Sequence, residues 1–250
     1  MKKIDSIQNP RVKQWKKLQT KKEREKTGLF LIEGFHLVEE ALQSQDMVRT
    51  LIISENTDLP HKWNIGDIEL YLVSEAIMKT LSETETPQGV LAVCEKVSYD
   101  IPLANGKFLL LDGIQDPGNL GTIIRTADAA GLDAVILGEG TADVYNSKTL
   151  RSTQGSIFHV PVIKGNLKGW ITELKKQNVP VYGTALEHAV PYQEIQAQGT
   201  FALIVGNEGS GVQKELLGLC DHNLYIPIHG RAESLNVAVA TGVLTYYLRG

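Results

Sequence analysis

Between residue 107 and the C-terminus, short apolar runs alternate with amphipathic or polar stretches. No other feature of the 250-residue chain constrains its fold as much. Residues 107–111, 133–137, 157–163, 179–183, 201–205 and 224–228 read as strands. A helix is expected over 120–130, stopped by Gly131, and another from about 233 to the end. Strand–helix alternation implies a mostly parallel sheet with helices on both faces, because parallel neighbours need a crossover connection. Such open sheets take ligands in the loops beyond the carboxyl ends of their strands. The loops after Leu111, Val205 and Ile228 are therefore where a site is expected.

The first hundred residues read as a smaller α/β unit, with strands at 29–33, 48–53, 69–73 and 89–94. A helix opening at Gly34 runs through about Gln45 with Phe35, Val38 and Leu42 on one side, and a second helix covers 74–81. Residues 98–106, with Pro102, Asn105 and Gly106, are the best linker, which divides the chain into 1–98 and 105–250.

A net charge of −4 argues against a nucleic-acid binder until its distribution is considered. Residues 1–26 hold ten Lys and Arg against Asp5, Glu23 and Glu25, a net +7, so the other 224 residues carry −11. An arm for polyanions on an acidic body would have this asymmetry. A solvated amphipathic helix with Val12, Trp15 and Leu18 on its apolar side would have it too. Cys94 and Cys220 are far apart and have no CxxC partner, which points away from a zinc site or disulfide framework and toward a reducing compartment. The histidines lack metal-ligand spacing, so no metal is expected, and His159 and His222 read as structural, with His229 a candidate loop contact. There is no 18-residue apolar run or apolar leader, which suggests a cytoplasmic protein without a membrane partner.

Common nucleotide-binding fingerprints fail. Glycines 113, 118 and 121 lack G-x-G-x-x-G spacing, and Gly106-Lys107 is followed by Phe108, so there is no P-loop. What remains is three segments: Asn119-Leu120-Gly121-Thr122-Ile123-Ile124-Arg125, Gly206-Asn207-Glu208-Gly209-Ser210-Gly211 and Ser234-Leu235-Asn236-Val237-Ala238. In the first, Asp116 or Asn119 can cap a helix whose buried side is Ile123, Ile124, Ala127 and Ala130, which leaves Arg125 exposed. An ordinary surface arginine and a cation placed for a phosphate or a reacting oxygen are both compatible with that position. In the second, glycines permit close backbone approach and Glu208 argues against a phosphate cradle. In the third, capping alone would explain Ser234, whereas Asn236 among apolar neighbours needs a partner.

Taken together and in order, these segments resemble the three motifs of the SpoU/TrmH branch of the SPOUT RNA methyltransferases. Lys22-x-Arg24-x-x-x-Gly28-x-Phe30-x-x-Glu33-Gly34 and Thr86-Pro87-Gln88-Gly89-Val90 resemble the ribosomal-protein-like substrate-binding domain that precedes the catalytic domain in many members. The resemblance implies an α/β domain with a mostly parallel sheet and a deep trefoil knot, usually as a homodimer. It also implies methyl transfer from S-adenosylmethionine to a ribose 2′-hydroxyl of RNA, rRNA ahead of tRNA. By motif, Arg125 would be catalytic with Asn119, Glu208, Ser234 and Asn236 completing the site, and Gly206, Ile226 and Leu235 would hold the cofactor. Lys13, Lys16, Lys17, Lys21, Lys22 and Arg24 would bind RNA. The alternatives are a tRNA-directed enzyme and a non-catalytic RNA-binding or ribosome-assembly factor, against which the intact Arg125, Glu208, Ser234 and Asn236 speak. A guanidinium stays protonated in proteins, so Arg125 suits electrostatic stabilisation better than proton abstraction.

Overall fold

The structure is a computed structural model that describes residues 1–44 and 47–250. It divides into two compact units, Met1–Ser98 with Tyr145–Phe158, and Tyr99–Val144 with His159–Gly250.

The first unit carries a five-stranded mixed sheet: β1 (Lys2–Ile4), β2 (Leu29–Glu33), β3 (Val48–Ser54), β4 (Glu69–Val73) and β5 (Val90–Glu95), in the order β1-β4-β3-β5-β2. β5 runs antiparallel to both its neighbours and the other pairs are parallel. The basic N-terminal segment is two docked helices, α1 (Pro10–Lys17) and α2 (Lys21–Thr27). Asn9 caps α1 through the Arg11 N–H at 2.9 Å with Pro10 behind it, and Val12, Trp15 and Leu18 are buried, Trp15 edge-on to Tyr71 at 5.2 Å. Thr20 opens α2, and Gly28 at φ 71° ends it. α3 (Phe35–Gln43) and α4 (Glu75–Leu81) complete the first part of this unit. The buried side of α3 is Leu37, Val38 and Ala41 rather than Phe35 and Leu42, because Phe35 packs half-buried against the Trp63 ring at 5.8 Å. Gln45, the expected end of that helix, lies outside the described residues.

The second unit begins with β6 (Lys107–Asp112), α5 (Pro117–Ala129) and β7 (Ala134–Leu137). After α6 (Ser147–Thr153), which belongs to the first unit, come β8 (Val162–Lys164), α7 (Leu167–Lys176), β9 (Val181–Thr184), β10 (Val190–Pro191), β11 (Phe201–Gly206), α8 (Lys214–Leu217), β12 (His222–Tyr225) and α9 (Val237–Arg249). Seven strands pair in parallel throughout, in the order β10-β12-β9-β11-β6-β7-β8. Phe108 and Leu110 of β6 pack in a cluster with Leu167, Ile171 and Leu174 of α7. Leu109 and Leu111 alternate to the other face; α5 and α9 pack against each other, and their Ile123, Ile124, Leu244 and Leu248 are fully or almost fully buried. α5 closes as expected at Gly131, with Leu132 N–H bonding to the Ala127 carbonyl and Gly131 N–H to that of Asp128.

Several expected boundaries move, among them that of α5, which starts at Pro117 rather than Leu120. Residues 157–163 are not one strand: a 3₁₀ turn at Ser156–Phe158 precedes Pro161, which lacks an N–H, and only Val162–Lys164 pairs, at the sheet edge. The last strand occupies His222–Tyr225, so Ile226 and Ile228 lie beyond its end. The final helix starts at Val237 rather than near Glu233, because Asn236 supplies its cap. The second segment is also interrupted, since Tyr145–Phe158 packs in the first unit, where the Tyr145 ring meets Phe30 at 4.5 Å beneath Lys96 Nζ at 4.7 Å. Its turn at Gly155 (φ 93°) passes so close to Glu40 that a Cβ there would lie 2.5 Å from Glu40 Cγ.

Candidate active site

The order of strand addition reverses between β6 and β11: the chain runs from β6 outward through β7 and β8, then continues on the other side. Such a switch point splays the two adjoining loops and opens a crevice at the carboxyl ends of the strands. Asp112 and Gly206 end these strands as register partners, so the first two motif loops leave the sheet side by side. Behind them, the buried Asp112 carboxylate accepts from Gln213 N–H at 2.7 Å and Gln213 Nε2 at 2.6 Å, which returns the second loop to the sheet. Gly206 is required for space: a Cβ would lie 2.1 Å from the Gly211 carbonyl carbon and 2.2 Å from Val212 N.

Asn207 folds the second loop. Its Oδ1 accepts from the N–H groups of Gly209 and Ser210 at 2.9 and 3.0 Å, and its Nδ2 donates to the Gly113 carbonyl at 2.9 Å. This residue and the Asp112–Gln213 pair were missed in the sequence, although an Asn between glycines is a turn signature and an Asp ending an apolar run is a visible anomaly. In the first loop Asp116, not Asn119, is the helix cap, accepting from Asn119 N–H at 2.8 Å ahead of Pro117.

Asn119 is thereby released for a longer connection. Its Nδ2 donates to Glu208 Oε1 at 3.0 Å, and its Oδ1 accepts from Asn236 Nδ2 at 2.9 Å. Glu208 also receives the N–H groups of Gln115 and Asp116, each at 3.0 Å. Burial pushes the Glu208 carboxyl up, but the bonds from Asn119, Gln115 and Asp116 outweigh it and leave the group below its ordinary value. Asn236 Oδ1 caps α9 through Ala238 and Val239 N–H at 2.9 and 3.3 Å, the partner its apolar surroundings demanded. Ser234 is exposed and caps nothing. Glu208, Asn119 and Asn236 thus form one chain of hydrogen bonds across all three motifs, with their side-chain oxygens engaged.

Two polar motif side chains are left unengaged. Arg125 is exposed on α5 and Ser234 precedes α9; neither makes a hydrogen bond or ion pair among the described residues. Between β12 and α9, no backbone group of residues 226–235 makes a backbone hydrogen bond among the described residues. Ile226 and Ile228 are half-buried there, and Leu235 is 39% exposed. Open N–H and C=O groups beside apolar side chains and a glycine-only strand end suit an uncharged heterocycle with a ribose, and the adenosine of S-adenosylmethionine has that chemistry.

On the first unit, Lys13, Lys16, Lys17, Lys21, Lys22 and Lys26 are exposed and make no ion pair among the described residues. Lys2 and Arg11 are held by Glu69, and Lys3 by Asp5. Arg24 differs from these lysines: it is only 5% exposed, and its Nη1 donates to the Leu18 carbonyl at 2.7 Å. The guanidinium ties the α1–α2 turn into the core rather than lying open on the surface as the lysines do. Among the described residues no group of three His, Cys, Asp or Glu could hold a metal, and no helix is long and apolar enough to cross a membrane.

Residues 106–246, which contain all three loops, match the model of the SpoU rRNA methylase family, and residues 9–92 match an MRM3-like substrate-binding domain. The chain belongs to the SpoU rRNA methylase family. As a SpoU enzyme it is an S-adenosylmethionine-dependent RNA 2′-O-ribose methyltransferase. It is 57% identical over its full 250 residues, and the full length of the relative, to the 23S rRNA (guanosine(2553)-2′-O)-methyltransferase RlmP of Bacillus subtilis. Among solved structures it resembles an AdoMet-bound rRNA methyltransferase from Sinorhizobium meliloti, with a TM-score of 0.89 at 34% identity and coverage of 99% and 97% of the two chains. It also resembles the SpoU methyltransferase AviRb from Streptomyces viridochromogenes in complex with AdoMet, with a TM-score of 0.85 at 29% identity and coverage of 96% and 97%.

Proposed function

We propose that this SpoU enzyme methylates the ribose of a guanosine in 23S rRNA, the one corresponding to the target named for the Bacillus subtilis relative. The single observation that carries the substrate choice is 57% identity without a gap in coverage on either side, accessory unit included. Large-subunit rRNA is thus favoured over tRNA, and turnover over a purely structural role. The site of action is the cytoplasm, where assembling ribosomal RNA is found.

S-adenosylmethionine supplies a methyl group already activated on sulfonium, so the protein's task is alignment and management of the hydroxyl proton. The residues divide that work by what is already engaged. Glu208, Asn119 and Asn236 hold the three loops to one another, with their side-chain oxygens already engaged. Gly206, Ile226 and Leu235 hold the cofactor through backbone and apolar contact. Arg125 and Ser234 meet the RNA: the Arg125 guanidinium stabilises the developing alkoxide and the adjacent phosphate, and the proton leaves to phosphate or water. The first unit holds RNA through phosphate contacts to these six exposed lysines, and the target nucleotide is splayed from its stack.

A homodimer, with the C-terminal segment knotted, belongs to the same reading. Its support is an apolar stripe on α9 left in water: Val239, Val243 and Tyr246, 37–54% exposed at helical spacing. Val239→Glu with Val243→Glu converts a dimer to a monomer in sedimentation; a wild-type monomer at micromolar concentration would refute this part.

The test of the function is transfer of labelled methyl to unmodified 23S rRNA and, separately, to tRNA, with Arg125→Ala as control. Label in 23S rRNA at a guanosine resisting alkaline cleavage is expected. Label in tRNA alone would overturn the substrate assignment.

A further inference from the structure

Arg125 and Asp128 stand three residues apart on α5, a spacing at which an arginine and a carboxylate meet on a helix surface. The other neighbours of Arg125 at three and four residues are Gly121, Thr122 and Ala129, so Asp128 is the one carboxylate the helix offers it. The two do not pair. Asp128 Oδ2 accepts from His159 Nδ1 at 3.0 Å instead, and Arg125 is left without a partner among the described residues. His159 enters from outside the helix, in the stretch between Phe158 and β8. The side chains of the His159–Asp128 pair are 40% and 30% exposed, so two screened interactions compete for Asp128 rather than one being locked.

We propose that His159 is a positioning residue: by occupying Asp128 it keeps that carboxylate from the Arg125 guanidinium and leaves the guanidinium open to RNA. The proposal rests on the reading of Arg125 as the group that meets substrate. Without His159, Asp128 turns to Arg125, part of the enzyme carries a neutralised cation, and the rate falls. Because the competing pair is exposed, the loss is small and fades as salt rises, which distinguishes it from damage to packing.

The test compares initial rates of methyl transfer to a 23S rRNA transcript, at low and at high salt. His159→Ala is expected to be about twofold slower at low salt, the scale of a surface helix pair. It should approach wild type as salt rises. His159→Gln, which keeps a donor for Asp128, retains the rate, and His159→Ala with Asp128→Asn recovers it. His159→Leu replaces the alanine variant if that one fails to fold. A His159→Ala enzyme at wild-type rate, a deficit indifferent to salt, or a double variant as slow as the single would each overturn the proposal. Arg125→Ala run alongside separates the two ideas: a retained rate there overturns the reading of Arg125 and this proposal with it. A lost rate there without rescue in the double variant overturns this proposal alone.

Discussion

Asn236 Nδ2 donates to Asn119 Oδ1 at 2.9 Å across 117 residues of chain, and this bond joins the third motif to the first two. The first two loops are neighbours because Asp112 and Gly206 are register partners. The third follows β12, which is separated from β11 by β9, so it reaches the others only by turning back. The same amide caps α9, so docking the loop and starting the helix are one event.

Asn236→Ala should therefore cost about 1 kcal/mol in chemical denaturation for the lost cap. It should lower S-adenosylmethionine affinity as well, since the loop is released from Asn119. Ser234→Ala makes the contrasting case: it caps nothing, so unfolding stays at the wild-type midpoint while methyl transfer falls. A Ser234→Ala protein with full activity would remove Ser234 from the reaction.

Glu208→Gln replaces an acceptor-only group facing three donors with one that presents its own N–H₂. For a largely exposed site the stability cost is about 1 kcal/mol, and the larger effect should be weaker cofactor binding. The pH dependence follows from the lowered Glu208 value. A carboxyl depressed in the folded state adds stability above its unfolded value, near 4.5, and loses it as pH falls through the folded value. The Glu208→Gln penalty, measured by denaturant midpoints at neutral pH and at progressively lower pH, should shrink below that point. A penalty that grows on acidification would contradict the hydrogen-bond account.

Gly206→Ala places a methyl group against the Gly211–Val212 peptide, which cannot move without opening the second loop. A loss of about 3 kcal/mol is expected. Calorimetry and cofactor titration should fail together. Gly209→Ala, whose Cβ would come only within 3.6 Å of Asn207 Oδ1, should be far milder on space alone.

Lys21 and Lys22 occupy the first turn of α2, where the helix dipole disfavours cations, so they are placed against helix stability. Replacing Lys16, Lys17, Lys21 and Lys22 by Ala should leave the fold intact and weaken RNA binding. The slope of log affinity against log salt should become shallower by about 3, at roughly 0.7–0.9 per phosphate contact. An unchanged slope would exclude this surface. Arg24→Ala should do the reverse, destabilising the first unit by about 2 kcal/mol through the lost Leu18 carbonyl bond while leaving the salt slope as it was.

Local chemistry was enough to read much of this from the chain. The apolar runs at 107–111 and 201–205, the stop at Gly131 and the buried stripe Val12, Trp15, Leu18 depend on side-chain periodicity and backbone preference, which act over a few residues. The three motif segments were legible for the same reason, because glycine, a capping Asp and an isolated Asn betray a turn wherever they fall. Pairing was decided only by tertiary structure. Nothing adjacent to Arg24 in sequence indicates that its guanidinium would be spent on Leu18, or that Asp128 would choose His159 over Arg125. That Glu208, Asn119 and Asn236 hold one another depends on sheet order, which brings β6 beside β11 and returns the chain from β12. Hydrogen bonds form between groups within about 3 Å, and across 117 residues only the fold sets that distance.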